Sequence, residues 1–284
     1  MNLMRIENLF IYPIKSCGSI KLRAADLCFT GLGWDRLFVI VDQQGTFLSQ
    51  RNYPELCLVK TDIDHNPTAD SGTLAIWFEA PGMPRHYIPL SYGETVDLPC
   101  FKKRRVIIHK ESCKGIDMGD EYADWFSKFL GEQVRLVRQV KRLPRIRRPS
   151  AFGSHKIRVS FVDRYPLLVT TIESLQDLNQ RIEASGGKAV KMDCFRPNIV
   201  LSGGLPYDED GWARLSIGAA ELEGGTLCER CSVTTVNKRT GKRGSEPLKT
   251  LARYRKFKES VVFGRNFIVK KPAPILAKSW VTVH

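Results

Sequence analysis

The stretch from residue 37 to residue 48 decides the fold, and it reads Leu37-Phe38-Val39-Ile40-Val41-Asp42-Gln43-Gln44-Gly45-Thr46-Phe47-Leu48. A short apolar run, a glycine-containing turn and a second apolar pair predict a β-hairpin. Similar runs at residues 74–78 and 106–109 are separated by closely spaced glycines and prolines. Several short strands with frequent turns favour a sandwich or barrel over alternating strands and helices.

Helical periodicity appears only after these strands. Asp120 can cap a helix whose apolar residues recur at helical spacing until Gly131. A capping box at Thr170 and Glu173 predicts a second helix, and a third follows Ser245. The sequence therefore predicts a mixed α/β, β-rich protein with a boundary near residues 110–120, and we expect domains at 1–115 and 116–284. Strand-like runs are predicted between and after the helices, at 157–162, 198–201, 215–217, 232–236 and 267–269.

The composition excludes several classes of protein. The 284 residues include 44 Lys and Arg against 30 Asp and Glu, a net charge of +14 that favours anionic partners. No apolar run is long enough for a membrane helix, and the first residues do not resemble a secretory signal. Eight cysteines in a chain of this length are expected to stay reduced. We therefore expect a cytoplasmic protein without membrane contact.

Half of the residues from 135 to 148 are basic. Nucleic-acid modules usually combine such charge with aromatic residues on which bases stack, and this run has none. The run is therefore predicted to be a solvated, flexible connection rather than a nucleic-acid arm, and nucleic acid is not an expected partner.

The most distinctive local feature is Cys228-Glu229-Arg230-Cys231-Ser232-Val233-Thr234-Thr235-Val236-Asn237. It is compatible with half of a zinc site, with a thioredoxin-like redox pair, or with two buried structural thiols. Zinc needs further ligands, and no second Cys-x-x-Cys pair exists. Arg230 favours the thiolate form of Cys231, which is the form that binds metals.

Two further motifs place basic residues in or near turns. In Phe195-Arg196-Pro197-Asn198, strand alternation would put Arg196 and Asn198 on one side, where both could reach an anionic ligand. In Tyr12-Pro13-Ile14-Lys15-Ser16-Cys17-Gly18, Lys15 and Ser16 suit an oxyanion, but the upstream glycine of a Walker motif is absent. A plain polar turn explains either motif alone.

Taken together and in order, these motifs resemble the MOSC superfamily. They are Tyr-Pro-x-Lys-Ser-x-Gly, then Trp34-Asp35-Arg36, then Phe-Arg-Pro-Asn-Ile-Val, and finally Arg-Cys-x-x-Thr-Thr-Val-Asn followed by Thr240-Gly241. The similarity is greatest to the two-part branch that includes the mitochondrial amidoxime-reducing components and bacterial YcbX-type proteins. This resemblance implies a MOSC N-terminal β-barrel-like domain followed by a MOSC β-barrel domain with peripheral helices.

The resemblance also implies a molybdenum cofactor, Mo-molybdopterin, and a cysteinate ligand to the metal. By position that ligand, and the catalytic residue, is Cys231, and Cys228 is then the other member of the pair. The positions that would contact the cofactor are Lys15, Ser16, Arg36, Arg164, Tyr165, Arg196, Asn198, Glu229 and Arg230.

The implied activity is reduction of small N-hydroxylated compounds, with electrons from a separate redox protein. No cysteine follows Cys231, so no iron–sulfur cluster is expected there. The charge of +14 would attract an acidic donor of the flavodoxin, ferredoxin or flavin reductase type. Two alternatives remain open at this point, a molybdenum-cofactor carrier or sulfur-handling protein, and a basic nucleic-acid-binding protein. A Ser-His-Asp hydrolase is disfavoured because Gly-x-Ser-x-Gly is absent, and residues 208–210 are expected to form a solvated acidic turn.

Overall fold

The structure is a computed structural model that describes residues 3–64, 74–90, 102–140, 145–153 and 155–284. Strand accounts for 43% of it and helix for 18%, which confirms the β-rich mixed class. The described strands are β1 Leu3–Ile11, β2 Ile20–Leu22, β3 Ala24–Cys28, β4 Gly31–Leu32, β5 Phe38–Val41, β6 Lys60–Asp64, β7 Ala75–Glu79, β8 His86–Pro89, β9 Lys103–Ile108, β10 Glu111–Asp117, β11 Arg135–Gln139, β12 Arg145–Arg147, β13 Ile157–Val159, β14 Leu167–Thr171, β15 Ile199–Ser202, β16 Arg214–Ile217, β17 Ala220–Glu229, β18 Lys256–Phe257, β19 Ser260–Lys271, β20 Pro274–Leu276 and β21 Trp280–Val283. The described α-helices are α1 Asp120–Leu130, α2 Ile172–Ala184 and α3 Leu248–Leu251.

A closed barrel of seven strands forms the centre of the molecule. Its strands follow the order β14-β15-β1-β21-β16-β17-β19, and pairing of β19 with β14 closes the circle. Closure removes the unpaired strand edges that an open sheet would expose. Inward-facing apolar residues such as Ile6, Leu201 and Leu222 fill the interior. The helices α2 and α3 pack together outside the barrel around Leu178 and Leu251.

A second group of strands carries the first predicted motif. The strands β5, β11, β10 and β9 form one sheet, β6, β7 and β8 form another, and α1 packs against them through Phe126. The predicted turn is present, because the Asp42 N–H donates to the Thr46 carbonyl at 2.9 Å and Val41 bridges to Phe47. The predicted first helix is present from Asp120 to its left-handed end at Gly131, but the prediction that Asp120 caps it was wrong, because the N-cap is Gly119 and no side chain caps this end. The domain boundary between residues 115 and 116 stays a prediction.

The basic run is largely structured, so the prediction of a flexible connection was wrong for its described residues. The strand β11 is an inner strand between β5 and β10. Arg138 is only 1% exposed, and Arg135 pairs with Asp117 at 2.5 Å. Leu136 and Val137 pack on opposite faces of the sheet. Burial of these apolar residues on both faces makes the segment a strand despite its many basic residues. Residues 141–144 of the run lie outside the described residues.

The segment after Cys231 was predicted to be a strand and is instead a 3-10 helix, Ser232–Thr235. The Thr234 hydroxyl donates to the Cys231 carbonyl at 2.9 Å, and the Thr235 hydroxyl donates to the Ser232 carbonyl at 2.8 Å. Threonine side chains that bond to nearby carbonyls compete with sheet formation. This turn places Cys231 at the start of a helical turn rather than inside the sheet.

Two details around α2 also differ from the sequence prediction. The helix is capped by Thr171, whose Oγ1 accepts from the Ser174 N–H, and Thr170 stays in β14. Residues 208–211 form a 3-10 helix, and Glu209 in it is completely buried rather than solvated. No helix among the described residues is long and apolar enough to cross a membrane.

Candidate functional site

A cavity of about 1040 Å³ lies between the barrel and the second group of strands, which contains the sheet of β5, β11, β10 and β9. Its lining includes nine Lys and Arg side chains against four carboxylates, so an anion is the ligand it favours. The structure brings all ten sequence-predicted site residues to this one cavity, which is lined by Lys15, Ser16, Arg36, Arg164, Tyr165, Arg196, Asn198, Glu229, Arg230 and Cys231.

The turn after β1 forms one wall. Ser16 has a left-handed backbone with φ 74°, and the Ser16 carbonyl accepts from Gln50 Nε2 at 2.5 Å. Gln50 Oε1 accepts in turn from Lys238 Nζ at 2.8 Å. Burial, together with the charge of Arg196, lowers the pKa of Lys238 to about 8. Lys238, which lies in the MOSC domain predicted for residues 116–284, thus helps to hold the turn after β1 through Gln50.

Lys15 projects from the same turn but is already paired. Its Nζ lies 2.6 Å from Asp163 Oδ1, which also lies 3.3 Å from His109 Nε2. Burial lowers the pKa of Lys15, and the carboxylate of Asp163 opposes that shift. Lys15, Asp163 and His109 all line the cavity, so they offer exchangeable protons and a mixed-charge wall. The sequence analysis assigned no role to Asp163 or His109, and only their position in the fold brings them together.

Arg36 and Arg196 form the most strongly cationic part of the wall. Arg36 is fixed by the buried Asp35, with 2.6 Å between Nη1 and Oδ2, and it donates to the Arg196 carbonyl at 3.2 Å. Arg196 donates to the Cys17 carbonyl at 2.6 Å. Burial, reinforced by the charge of Arg36, lowers the pKa of Arg196 to about 10. Both arginines have left-handed backbones, a strained conformation typical of functional sites.

Asn198 lines the cavity but bonds elsewhere. Its Oδ1 accepts from the Leu168 N–H, and its Nδ2 donates to the Phe10 carbonyl, each at 3.2 Å. The strand β15 begins only at Ile199, so strand alternation does not align Asn198 with Arg196 as the sequence analysis argued. A role for Asn198 in ligand contact stays a prediction.

The Cys-x-x-Cys segment forms the opposite wall at the end of β17. Arg230 is held by backbone carbonyls, because its Nε donates to Phe263 at 3.1 Å and its Nη1 to Phe195 at 3.2 Å. Burial raises the pKa of the Cys228 thiol. The Cys231 sulfur instead accepts a hydrogen bond from the guanidinium of Arg51. The two cysteines therefore have different surroundings, and of the two it is Cys231 that accepts a hydrogen bond from a guanidinium.

Glu229, Arg164 and Tyr165 lie at the mouth and side of the cavity. Arg164 Nη1 and Glu229 Oε2 are 3.2 Å apart, and both side chains are more than half exposed. An exposed pair of this kind contributes little stability and is free to rearrange around a ligand. Tyr165 is buried against Phe152 and closes the side of the cavity.

Arg51 is the functional candidate that the sequence analysis missed. Its Nη2 lies 3.3 Å from Cys231 Sγ, across 180 residues of sequence. The Arg51 carbonyl accepts a hydrogen bond from Arg243 Nη2. This bond anchors the loop that carries Arg51 to a residue far along the chain, beyond Cys231. Nothing in the local sequence around Arg51 indicates this contact, because only the packing of the two parts creates it.

Replacing Arg51 with glutamine is expected to weaken retention of a ligand bound at Cys231 by about 10–100-fold, the usual cost of losing a partner of a metal ligand. Bound metal per chain after dialysis measures the effect. The control is Arg105→Gln, since Arg105 is an arginine whose Nε binds Ser112 on the protein surface. Equal metal retention in the two variants would contradict the role of Arg51.

The residues present fit the cofactor that the resemblance implies. Within the described residues, Arg196 pairs with no carboxylate, so its half-buried charge is available to an anion. No group of three or more His, Cys, Asp or Glu that could hold a metal occurs in the described part of the chain.

Comparison with known proteins connects both halves of this site to one family. Residues 3–133 match the family described as "MOSC N-terminal beta barrel domain", and residues 156–281 match the "MOSC domain". The chain is 31% identical to mitochondrial amidoxime-reducing component 1 of Homo sapiens, over 95% of this chain and 80% of that one. It is 33% identical to mitochondrial amidoxime reducing component 2 of Bos taurus, over 94% and 79%.

A second kind of relative shares the same region. The chain is 32% identical to the molybdenum cofactor sulfurase of Drosophila willistoni, over 89% of this chain but only 30% of that protein. The matched regions carry the Lys15 turn, Arg36 and Arg51 from the first domain and Cys231 from the second, and the cavity lies between them. The chain therefore belongs to the MOSC family, in the form that carries a MOSC N-terminal beta barrel domain before the MOSC domain.

Proposed function

We propose that this protein is a molybdenum-cofactor-dependent reductase of N-hydroxylated compounds such as N-hydroxylated bases and amidoximes. The observation that carries the proposal is the placement of Cys231 and Arg51 in a large cavity in whose lining Lys and Arg outnumber the carboxylates. Relatives named as amidoxime-reducing components align with nearly the whole chain and support the activity.

The proposed roles follow from the geometry. Cys231 supplies the protein ligand to the metal, and Arg51 holds its sulfur in place. Arg36 and Arg196, with Ser16, bind the anionic end of the cofactor. When bound, the molybdenum cofactor supplies the two-electron chemistry that removes oxygen from the N–OH group.

The reaction has to balance two electrons and two protons, because R–NH–OH becomes R–NH₂ and water. The separate donor protein supplies the electrons. The protein can deliver protons through groups in the cavity, and His109 with Asp163 is the candidate pair among the described residues. Their half-exposed side chains allow exchange of protons with solvent.

Metal analysis combined with a reductase assay tests the proposal. The full chain is purified from cells that make molybdopterin, its molybdenum is measured, and benzamidoxime reduction is followed with a chemical electron donor. We expect close to one molybdenum per chain and formation of benzamidine. A folded protein that takes up no molybdenum would overturn the proposal.

A carrier or sulfur-handling role is the second candidate, and the similarity to a protein named molybdenum cofactor sulfurase supports it. Both candidates share cofactor binding, so metal analysis alone does not separate them. Molybdenum bound without any N-hydroxy reduction would favour the carrier, and turnover would favour the reductase.

Electron donation by an acidic protein of the flavodoxin, ferredoxin or flavin reductase type is part of the proposal. Exposed or half-exposed cations near the cavity mouth include Lys110, Arg147 and Arg164. We expect donor-coupled turnover to fall steeply as salt rises from about 0.05 to 0.5 M, because the Debye length shrinks across this range. Turnover with a small uncharged reductant is the control. Coupling that does not respond to salt would contradict docking by charge.

A cytoplasmic location also belongs to the proposal. In such a reducing compartment the eight cysteines of the chain are expected to stay reduced. Fractionation of the native cells with an antibody to the protein tests this location.

A further inference from the structure

Tyr12 lies behind the cavity wall, with its ring between two arginines. The Arg36 Cζ is 4.2 Å from the ring centroid, and the Arg196 Cζ is 4.1 Å from it. Tyr12 itself is 1% exposed and does not line the cavity. One aromatic ring therefore contacts both guanidinium groups, and these groups do face the cavity.

The contact with the Tyr12 ring stabilises the positive charge of Arg196 in particular. Asp35 neutralises Arg36, but Arg196 pairs with no carboxylate in the described part of the chain. A buried charge without a partner is costly, and a neighbouring like charge adds to the cost. The face of an aromatic ring carries partial negative charge, and it stabilises a cation placed over it within about 6 Å.

The ring is fixed in orientation by its own hydrogen bonds. The Tyr12 hydroxyl donates to the Pro197 carbonyl at 3.1 Å, and the Tyr12 backbone N–H donates to Asp35 Oδ1 at 2.8 Å. The same Asp35 carboxylate binds Arg36. Burial raises the pKa of Tyr12, so the hydroxyl stays protonated and keeps donating. Tyr12, Asp35 and Arg36 therefore form one rigid unit.

We propose that Tyr12 is the positioning residue for the anion-binding end of the cavity. Its stacked ring holds the side chains of Arg36 and Arg196 in place and aims them at a phosphate monoester, although the ring never touches that ligand. This inference deepens the proposed function, since the phosphate monoester would be that of the cofactor. Its claim about anion binding can be tested without molybdenum or turnover.

Binding of inorganic phosphate to the full chain, purified from cells that make no molybdopterin, is the first test. Titration calorimetry measures the affinity of the wild type, Tyr12→Phe and Tyr12→Leu. We expect Tyr12→Phe to stay within about threefold of the wild type, because the ring remains. Tyr12→Leu should bind phosphate at least about tenfold more weakly, in line with two lost cation–π contacts. Unchanged affinity in a folded Tyr12→Leu variant would overturn the proposal.

A series of fluorinated phenylalanines at position 12 avoids any question of folding. Fluorine withdraws electrons from the ring face but changes the ring volume little. We expect phosphate affinity to fall stepwise with the number of fluorines. The control series is at Phe126, a buried ring that stacks on Phe78 at 5.2 Å. A flat series at position 12, or an equal fall at position 126, would overturn the proposal.

A double-mutant cycle separates positioning from general stability. In an Arg196→Gln background, Tyr12→Leu should cost clearly less phosphate affinity than in the wild type, because one of its two contacts is already gone. Losses that simply add would contradict positioning through Arg196. If the reductase assay fails, these phosphate-binding results still test the role of Tyr12. If phosphate affinity does not change in the Tyr12 variants, the role of Tyr12 is overturned but the proposed reductase activity is not.

Discussion

Replacing Cys231 with serine is expected to remove bound molybdenum and to reduce N-hydroxy reduction by more than about 100-fold. The reason is that losing even an outer partner of a metal ligand usually costs 10–100-fold, and Cys231 is the proposed ligand itself. A serine hydroxyl is far less acidic than a thiol, so it does not replace the thiolate at neutral pH. Molybdenum per chain and benzamidine formation are measured on the same preparation.

Cys228→Ser is the matched control, because Cys228 lines the same cavity three residues earlier. Its thiol contacts the Glu229 carbonyl at 3.8 Å, and burial raises its pKa. We expect this variant to keep molybdenum and most of its activity. Equal losses in the two variants would mean that the segment, rather than the Cys231 sulfur, matters.

Replacing Glu209 with glutamine is expected to stabilise the protein above neutral pH by up to about 3 kcal/mol. Glu209 is completely buried, and its Oε2 accepts from the hydroxyls of Ser174 and Thr171 at 2.8 and 3.0 Å. Its Oε1 has no hydrogen-bond partner among the described residues. Burial raises the pKa of Glu209 to about 7, although the bond from Ser174 opposes the shift.

The sign of the effect follows from this raised pKa. The folded protein holds the Glu209 proton more tightly than the unfolded chain does, so stability is greatest below about pH 4.5 and falls as pH rises through 7. A glutamine has no proton to lose. The difference in free energy of unfolding between the variant and the wild type should therefore be smallest at pH 5 and largest at pH 8.

Urea unfolding at pH 5, 6.5 and 8 measures this difference directly. The control is Glu183→Gln, since Glu183 lies on the exposed side of α2. Its difference from the wild type should stay within about 0.5 kcal/mol at every pH. A Glu209→Gln variant that shows no dependence on pH would mean that Glu209 ionises normally in the folded protein.

The sequence predicted the elements in which local signals agree. Helix α1 combines apolar spacing with a glycine stop, and its C-terminal end is where the pattern indicates, whereas its N-cap is Gly119 rather than Asp120. The family resemblance, carried by motifs such as those around Lys15, Arg196 and Cys231, implied ten residues that share one cavity.

The sequence failed where distant contacts decide. The charge of residues 135–139 indicated solvent exposure, but Asp117 and the neighbouring strands bury that segment. The Thr-Thr pair after Cys231 has strand propensity, and its hydroxyls still draw it into a helical turn. Arg51 reaches Cys231 only because the two domains pack together.

The barrel can close only late in synthesis of the chain, because neighbouring strands are far apart in sequence. The strand β1, made first, lies between β15 and β21, which are made much later. Apart from its short pairing with β2 at Leu9–Ile11, it must therefore wait with unsatisfied edges until β15 and β21 have been synthesised. A fragment that begins at residue 156 would lack β1 and leave β15 and β21 with open edges that invite aggregation. The MOSC domain is thus expected to need strand β1 for folding, and expression of the isolated domain should give insoluble protein.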